Sequence, residues 1–435
     1  MIMIYLDHAA ATPVDERVLT AMRPYFAEKF FNPSAAYLPA KEVREEYEAA
    51  KATIAHAIGA KGADLVITAG ATEANNLAFT ALGIGPVFSS AGLEFLSKSY
   101  AGAPGEPSLR DEPLGRVDQR SNLRCRNIRV KNSNQNFMLQ KRQVLYLATE
   151  HDSVRKVAER YGGVAVAVDR DGRVDFDDLG RKLTDETVLV SIALVNNETG
   201  TIQPLSEVAA VLREARLDRL RRGVKTPLYL HSDASQALNL LDVNVARLGV
   251  DLLTLNAAKL YGPKGIGALY VSHEVKLTPA TYGGGQERGL RSGTENVPGV
   301  VGFAEAVKLA HGHLNGRRKK YAEMKKVLIN TLQGCEIVNR RHALDNFVVL
   351  CYNGLDGERL LYLLEERGVY VATGAACAAS KGVRSHVLAA MGLTEAEIAG
   401  SLRLTLGETN TKEQVREAVQ IINAVVDHEY ERVGR

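Results

Sequence analysis

The amino-acid sequence predicts an α/β fold built on a largely parallel sheet, and three observations lead to this prediction. Short apolar runs alternate with amphipathic stretches through the middle of the chain, which is the pattern of strand–helix units. Several apolar runs are followed directly by polar residues and glycines, as at the carboxyl edge of a parallel sheet. The chain has 435 residues, which is enough for two or three domains rather than one small core.

The predicted sheet is assembled from seven strands. They are Asp64–Thr68, Val144–Thr149, Val164–Val168, Val188–Val195, Leu228–His231, Leu252–Leu255 and Ala268–Val271. The segment Gly70–Glu73 leads from the first strand into a helix that starts at about Glu73. Leu205–Arg221 has helical spacing, with several charges on its outer face. Buried strands that alternate with helices favour a sheet covered by helices.

A second, smaller α+β domain is predicted from about residue 311. A charged helix, Leu314–Leu332, leads to the strand Phe347–Tyr352 and then to shorter mixed elements. We therefore expect a large domain over residues 15–310 and a small domain formed by residues 1–14 and 311–435.

Residues 83–142 interrupt the pattern of the large domain. These 60 residues separate the first helix from the strand at Val144, where a connection of about 2–6 residues is usual. They contain ten Lys/Arg against five Asp/Glu, are rich in Gly, Pro, Ser and Asn, and show no sustained apolar period. The composition favours a long irregular, basic insertion. A docking element for a partner protein or RNA is the alternative, although no recognisable motif supports it.

Composition argues against several classes of protein. Hydrophobic residues make up 46% and charged residues 24%, a balance typical of soluble globular proteins. The net charge of +3 predicts neither a nucleic-acid nor a membrane surface. Four cysteines without a CxxC pair argue against a disulfide framework and a zinc site, so no metal is expected. Because no apolar run suits a signal peptide or a membrane span, we expect a cytoplasmic protein.

Lys259 and Asp233 are the first two candidate site residues. Lys259 comes just after the strand DLLTL, and Asp233 follows LYLHS. Because the strands are successive, both side chains are expected at one edge of the sheet, where open α/β sheets bind ligands. A lysine there can be a nucleophile, and a carboxylate can pair with a pyridinium nitrogen. The alternatives are a surface lysine and a helix N-cap.

Three further strand ends carry polar residues. Thr72, in GATE, lies at a helix N-terminus whose backbone N–H groups can bind phosphate. Asn197, in VNNETG, and His151, in TEHDSV, follow strands in the same way. Each also has a structural alternative, since Thr72 suits a helix cap, Asn197 a turn, and His151 a cap or core position.

Cys377 and Arg403 are candidates from the C-terminal part of the chain. Cys377 lies among small residues in VATGAACAAS, a context that exposes a thiol and suits a nucleophile, although most cysteines are buried and structural. Cys335 and Cys351 are interpreted as structural. Arg403 alternates with apolar residues in SLRLTLG. Facing inward it would bind an anionic group such as a substrate carboxylate, and the alternative is an outward-facing surface arginine.

Taken in order, these motifs resemble those of the class V, fold-type I pyridoxal-phosphate enzymes, and specifically the cysteine desulfurases. The similarity covers nearly the whole chain outside residues 83–142. The motifs that carry it are YLDHAAATPVD, FNPSAAY, TAGATEANNLA, EHDSV, VNNETG, HSDASQ, KLYGPKGIGALYV, GGGQERGLRSGTENVPG, TGAACAA and LRLTLG. The resemblance implies a large domain with a mainly parallel seven-stranded sheet flanked by helices, plus a smaller α+β domain.

By this resemblance, Lys259 would bind pyridoxal 5'-phosphate covalently and then act as the proton-transfer base, with His151 stacking on the ring and assisting. The other implied cofactor contacts are Asp233 at the pyridine nitrogen, Gln236 and Asn197 at the phenolic side, and Ala71, Thr72, Asn256 and Thr294 at the phosphate, with Thr294 reaching across from a second subunit.

The resemblance also implies a substrate and a product. Arg403 would bind the carboxylate of L-cysteine, with Asn32 and Asn197 as supporting contacts, and Cys377 would attack the substrate sulfur. The products would be alanine and a Cys377 persulfide, from which sulfur passes to an acceptor protein for iron–sulfur cluster assembly or tRNA thiolation. The implied oligomer is a homodimer.

The chain departs from the family pattern before the lysine, where Asn256, Ala257 and Ala258 replace the usual Ser-Gly-His. Asn256 can still donate to a phosphate oxygen, whereas Ala258 cannot replace an imidazole. Two alternatives therefore stay open. One is another reaction on the same fold, such as that of a selenocysteine lyase or a class V lyase or transaminase. The other is a degenerate, non-catalytic scaffold.

Overall fold

A computed structural model of the protein describes residues 3–80, 142–338, 341–373 and 384–434. The insertion predicted at 83–142 lies outside the described residues apart from Arg142, and so does Cys377. Within the described ranges the β-strands are β1 (Ile4–Tyr5), β2 (Leu65–Thr68), β3 (Gln143–Leu147), β4 (Val164–Val166), β5 (Thr187–Ser191), β6 (Tyr229–Asp233), β7 (Leu252–Asn256), β8 (Gly267–Val271), β9 (Glu336–Ile337), β10 (Phe347–Cys351), β11 (Val369–Tyr370), β12 (Ala372–Thr373) and β13 (Ser401–Thr405).

The α-helices lie between these strands and at the C-terminal end of the described chain. They are α1 (Glu16–Met22), α2 (Pro24–Ala27), α3 (Leu38–Ala57), α4 (Ala71–Thr80), α5 (Asp152–Arg160), α6 (Phe176–Lys182), α7 (Leu205–Arg221), α8 (Val245–Leu248), α9 (Val297–Gly312), α10 (Leu314–Thr331), α11 (Gly357–Glu365), α12 (His386–Ala390), α13 (Glu395–Ala399) and α14 (Lys412–Arg432). Short 3-10 turns at Gly62–Asp64, Ala257–Lys259 and Glu287–Gly289 complete the regular structure.

The central sheet has seven strands in the order β2-β8-β7-β6-β5-β3-β4. The pairs β3/β4, β3/β5, β5/β6 and β6/β7 are parallel, and only β8 runs against its two neighbours. This arrangement confirms the predicted mainly parallel sheet. Since β2, β3, β5, β6 and β7 all run in one direction, the residues that follow them gather at one edge.

The predicted strands and helices are confirmed with small shifts at their ends. The helix Leu205–Arg221 has the predicted bounds, and α4 begins at Ala71, two residues before the predicted start. Gly70 precedes it with φ +142°, a conformation that only glycine adopts readily and that turns the chain sharply into the helix. The strand predicted to reach Val195 ends at Ser191, although the residues up to Val195 stay buried.

The C-terminal part of the chain forms smaller sheets. One has the order β12-β13-β10-β9, and a two-stranded sheet pairs β1 with β11 in parallel, with Ile4 opposite Val369. The N-terminal strand therefore packs with the C-terminal part, as expected if residues 1–14 belong to the small domain; the domain bounds stay a prediction. Among the described residues, no helix is both long and apolar enough for a membrane span.

Candidate active site

A cavity of about 870 Å³ opens at the carboxyl edge of the central sheet. Most of the residues singled out in the sequence line it. They are Ala71, Thr72, His151, Asn197, Asp233, Gln236, Asn256, Lys259 and Arg403. Asn32 and Thr294 are exposed and are not part of its lining in the single chain. Cys377 lies outside the described residues, so its position relative to the cavity stays a prediction.

Lys259 ends a 3-10 turn that directly follows β7. Its Nζ donates a hydrogen bond to the carbonyl of Ala10, and the side chain is half-buried. The same N-terminal segment fixes the turn, because the Thr12 hydroxyl donates to the Ala258 carbonyl (3.1 Å) and accepts from the Tyr261 amide (2.9 Å). Residues near the N-terminus thus hold the lysine at the cavity.

Asp233 is the last residue of β6 and is buried at the cavity floor. Its Oδ1 accepts from the amide (2.9 Å) and the hydroxyl (2.5 Å) of Ser235, and its Oδ2 accepts from Asn75 Nδ2 (2.8 Å). The bonds to Ser235 are those of a capping residue, which was the structural alternative for Asp233. No regular helix directly follows it, however. Every one of these bonds is accepted by Asp233, which suits a fixed carboxylate.

His151 lies after β3 and is the N-cap of α5. Its Nδ1 lies 2.9 Å from the Ser153 hydroxyl and accepts from the Ser153 amide at 3.1 Å. His151 can therefore be both a helix cap and a site residue. Capping uses only Nδ1, and the ring still lines the cavity.

The turn from β2 into α4 has the features of a phosphate site. The first helical bond joins the Ala74 amide to the Gly70 carbonyl (3.1 Å), so the N–H groups of Ala71, Thr72 and Glu73 precede it at the positive end of the helix. A side chain added to Gly70 would meet no atom within 4 Å, so there is open space beside the turn. A phosphate fits both features.

Asn256 and Gln236 complete the polar lining on the lysine side. The Asn256 Oδ1 accepts from the Ala258 amide (3.2 Å), so the group it can offer to an anion is its Nδ2 donor. Gln236 Nε2 donates to the Ala9 carbonyl (3.0 Å), which leaves its Oε1 as an acceptor for a ligand hydroxyl.

Arg403 faces inward on β13, and the alternative of an outward-facing surface arginine is wrong, since the residue is only 3% exposed. Its guanidinium donates to Asp7 Oδ1 (2.6 Å) and to the Asn197 carbonyl (2.9 Å). Its buried Nε has no hydrogen-bond partner among the described residues. A buried arginine with an unused donor that lines a cavity is suited to bind a carboxylate.

Sequence analysis missed two buried carboxyl groups at this edge. Glu198, beside Asn197, lines the cavity and accepts from the Ser385 hydroxyl (2.5 Å), and burial raises its pKa to about 7. Glu150, beside His151, is fully buried, and burial together with the charge of Asp233 raises its pKa to about 8. Glu198 is the sequence neighbour of Asn197, and Glu150 that of His151, so both lie in the segments that follow predicted strands. This position in the sequence was the signal that could have identified them.

The sequence matches a known family over most of its length. The profile of the aminotransferase class-V family matches residues 4–92 and 126–417. The chain belongs to the aminotransferase class-V family. Members of this family are pyridoxal-phosphate enzymes, and the fold-type I resemblance is confirmed.

Relatives within the aminotransferase class-V family are cysteine desulfurases. The chain is 34% identical to a putative cysteine desulfurase IscS 1 of Bacillus subtilis strain 168, over 97% of this chain and 98% of the relative. It is also 34% identical to a cysteine desulfurase IscS 1 of Archaeoglobus fulgidus, over 98% and 97% of the two chains. A solved structure described as a NifS-like protein has a TM-score of 0.78 and 28% identity, over 98% of this chain and all of that one. The resemblance to cysteine desulfurases is confirmed.

Proposed function

We propose that the protein is a pyridoxal-phosphate-dependent cysteine desulfurase, which removes sulfur from L-cysteine and leaves L-alanine. The observation that carries this proposal is the gathering of Lys259, Asp233, His151 and Arg403 in one cavity. A nucleophilic amine, a fixed carboxylate, an imidazole and a buried guanidinium are the groups that such a reaction on an amino acid requires.

The donor set of the cavity suits the cofactor. Lys259 would bind it covalently, Asp233 would pair with its ring nitrogen, and the N–H groups of Ala71 and Thr72 would hold its phosphate, with Asn256 donating from the opposite side. Asn197 and Gln236 would contact its phenolic side. When bound, pyridoxal phosphate supplies an electron sink that stabilises negative charge at the reacting carbon.

The chain's own residues would bind the substrate and transfer its protons and sulfur. Arg403 would exchange part of its pairing with Asp7 for the substrate carboxylate, with Asn197 and Asn32 in support. Lys259 Nζ would take the proton from the substrate Cα, and His151 would assist with proton transfer at the ring face. The Cys377 thiolate would attack the substrate sulfur, so that one C–S bond breaks and one S–S bond forms, leaving a Cys377 persulfide. The electron pair of the broken bond would stay with the substrate carbon, which takes a proton and becomes the methyl group of alanine.

Chain connectivity supports a role for Cys377. Arg384, Ser385 and His386 line the cavity, and Cys377 lies seven positions before Arg384 in the sequence. Seven peptide units span at most about 25 Å, a length that is compatible with a thiol that reaches the cavity.

The proposal extends to partners. A second copy of the chain would bring its Thr294 to the phosphate, and the exposure of this residue in the single chain is compatible with that role. A sulfur-acceptor or iron–sulfur scaffold protein would receive the persulfide sulfur in the cytoplasm.

The test is the release of sulfide and alanine from L-cysteine in the presence of a reductant. The wild type should be active and should absorb visible light when pyridoxal phosphate is bound. Cys377→Ala should abolish sulfide release, whereas Cys335→Ala, which removes a half-buried cysteine outside the cavity lining, should not. Lys259→Ala should lower the rate by a thousandfold or more, on the order of the full contribution of a catalytic base, and the exposed Lys264→Ala should not.

Other outcomes would support other functions. Full activity of Cys377→Ala would exclude the persulfide and favour a class V lyase or transaminase reaction. A preference for L-selenocysteine would favour a selenocysteine lyase. A wild type that neither binds the cofactor nor releases sulfide would point to a non-catalytic scaffold.

A further inference from the structure

A chain of four side chains joins Asp233 to His151 beneath the cavity. Asn75, on α4, donates from its Nδ2 to Asp233 Oδ2 and to Ser153 Oγ, both at 2.8 Å. Ser153 Oγ in turn lies 2.9 Å from His151 Nδ1. Asn75 is fully buried and Ser153 is 9% exposed, so bulk water cannot replace these bonds.

The chemistry of the groups sets the direction of the two bonds that Asn75 makes. Asp233 as a carboxylate can only accept, so one hydrogen of the Asn75 amide must point to it. The second hydrogen of the same amide points to Ser153 Oγ, which therefore accepts. The Ser153 hydroxyl keeps its own proton, which it donates to His151 Nδ1 when that nitrogen is unprotonated.

The reverse orientation of the Asn75 amide is excluded by electrostatics. Turned over, its Oδ1 would face the Asp233 carboxylate, and two acceptors would meet without a proton between them. In the observed orientation Oδ1 is buried and has no hydrogen-bond partner among the described residues. An unsatisfied buried acceptor is unfavourable, so the two donated bonds hold the amide in this orientation against that cost.

A second donor acts on the same histidine nitrogen. The backbone amide of Ser153 points at His151 Nδ1 from 3.1 Å. With two donors directed at it, Nδ1 is the unprotonated nitrogen, and a neutral ring must carry its proton on Nε2.

We propose that Asn75 and Ser153 are positioning residues that hold neutral His151 as the Nε2–H tautomer and tie that choice to the Asp233 carboxylate. Together they fix which nitrogen of His151 can deliver a proton in the cavity. The tautomer does not depend on the reaction, whereas its effect on catalysis rests on the proposed desulfurase function.

The test of the tautomer is nitrogen-15 NMR of the histidine side chains in the purified protein, at a pH where free imidazole is neutral. Loss of one signal set in His151→Gln assigns His151. In the wild type, Nδ1 should resonate in the unprotonated range and Nε2 in the protonated range. In Ser153→Ala the Nδ1 signal should move toward the protonated range, because only the backbone donor remains and both tautomers become populated.

Asn75→Asp tests whether the amide acts through Ser153. Two carboxylates this close cannot both ionise, so the pair formed by Asp233 and the new carboxyl group keeps one proton between them. The other oxygen of the new carboxyl group accepts the Ser153 proton and withdraws it from His151, so Nδ1 should shift in the same direction. Combined with Ser153→Ala it should add nothing, since the two residues act in series. Ser232→Ala is the matched control, because this neighbour of Asp233 has a buried hydroxyl without a hydrogen-bond partner among the described residues. It should leave the His151 signals unchanged.

The kinetic arm separates the two proposals. Ser153→Ala should lower kcat for L-cysteine roughly tenfold, a fraction of what a proton-transfer group supplies, with KM unchanged. A wild-type Nδ1 that carries the proton, or Nδ1 signals unmoved in both variants, would overturn the assignment of the tautomer. The expected signals in a protein that releases no sulfide would leave this assignment standing and refute only the desulfurase function.

Discussion

Two regions of the molecule bury carboxyl groups in opposite ways. In the Lys51–Glu287 cluster, defined by Lys51, Tyr47, Glu287 and the Ile67 amide, every carboxylate oxygen is matched. Lys51 Nζ lies 3.1 and 3.0 Å from the two oxygens of Glu287, the Tyr47 hydroxyl donates to Oε1, and the Ile67 amide donates to Oε2 at 2.7 Å. Lys51 and Glu287 side chains are 6% and 5% exposed.

At the carboxyl edge of the sheet two buried carboxyl groups, Glu150 and Glu198, have fewer partners than Glu287. Glu150 accepts from the Ser191 hydroxyl (3.2 Å), with the backbone N–H groups of Ala193 and His151 nearby, and its Oε2 has no hydrogen-bond partner among the described residues. Glu198 accepts from the Ser385 hydroxyl, and the Arg403 guanidinium acts on it through its charge. Burial raises the pKa of both groups, so each holds its proton to a higher pH than usual.

The contrast separates two uses of buried charge. A carboxylate with a full set of partners joins α3 to the turn at Glu287, which is a structural role. Carboxyl groups with too few hydrogen-bond partners lower the stability of the fold. Glu150 and Glu198 are of this kind and lie at the edge of the sheet that carries the cavity, where a ligand or a proton can supply the missing bond.

The largest effect is expected when the matched cluster is broken. Lys51→Met should lower the free energy of unfolding by about 3–5 kcal/mol, because Glu287 is left buried without its cation. Chemical denaturation at neutral pH measures this loss. Lys51→Met with Glu287→Gln should recover part of it, since no charge then stays uncompensated.

Lys41 provides the control for that prediction, since it is an exposed lysine on the same helix. Lys41→Met should change the free energy of unfolding by no more than about 0.5 kcal/mol. If Lys51→Met were equally mild, Glu287 would not depend on its partner, and the comparison between the two regions would fail.

A smaller change in the free energy of unfolding is expected for Glu198 at the cavity, and it depends on pH. The folded-state pKa of Glu198 is raised from 4.5 to about 7, so the folded protein favours the protonated form. Its contribution is therefore most favourable below the unfolded value and declines as pH rises from about 4.5 to about 7. Glu198→Gln should remove this decline, and the variant should gain up to about 3 kcal/mol relative to the wild type between pH 4.5 and pH 8.

Denaturation of Glu198→Gln and the wild type at both ends of that range measures the difference. Glu214→Gln, at an exposed position on α7, should follow the wild type at both pH values. A difference between Glu198→Gln and the wild type that does not change with pH would mean that this carboxyl group does not titrate in the window.

The smallest effect is expected at an exposed ion pair, which tests whether pairing or burial is responsible for the first result. Arg247 and Asp242 lie 2.6 Å apart, with side chains 62% and 59% exposed. Arg247→Met should change the free energy of unfolding by at most about 0.5 kcal/mol, because water screens both charges. A loss as large as that of Lys51→Met would show that pairing alone, without burial, accounts for the effect.

Much of the fold could be predicted because each strand and helix has its own pattern of apolar residues over a short stretch of sequence. Apolar runs such as Leu252–Leu255 and the helical spacing of Leu205–Arg221 report burial and period directly, and the structure confirms both. Element ends were less certain. The sequence does not state where a strand stops pairing, as the early end of β5 at Ser191 illustrates.

The sequence by itself determined the fold class, the family and most of the polar residues at the carboxyl edge, because successive parallel strands bring the residues after them together. Only the tertiary structure decided what those side chains do to one another. The inward direction of Arg403, the pairing of Lys51 with Glu287 across more than two hundred residues, and the chain from Asp233 through Asn75 and Ser153 to His151 depend on contacts between distant segments. No local period encodes such contacts, since hydrogen bonds and desolvation arise only when the chain is packed.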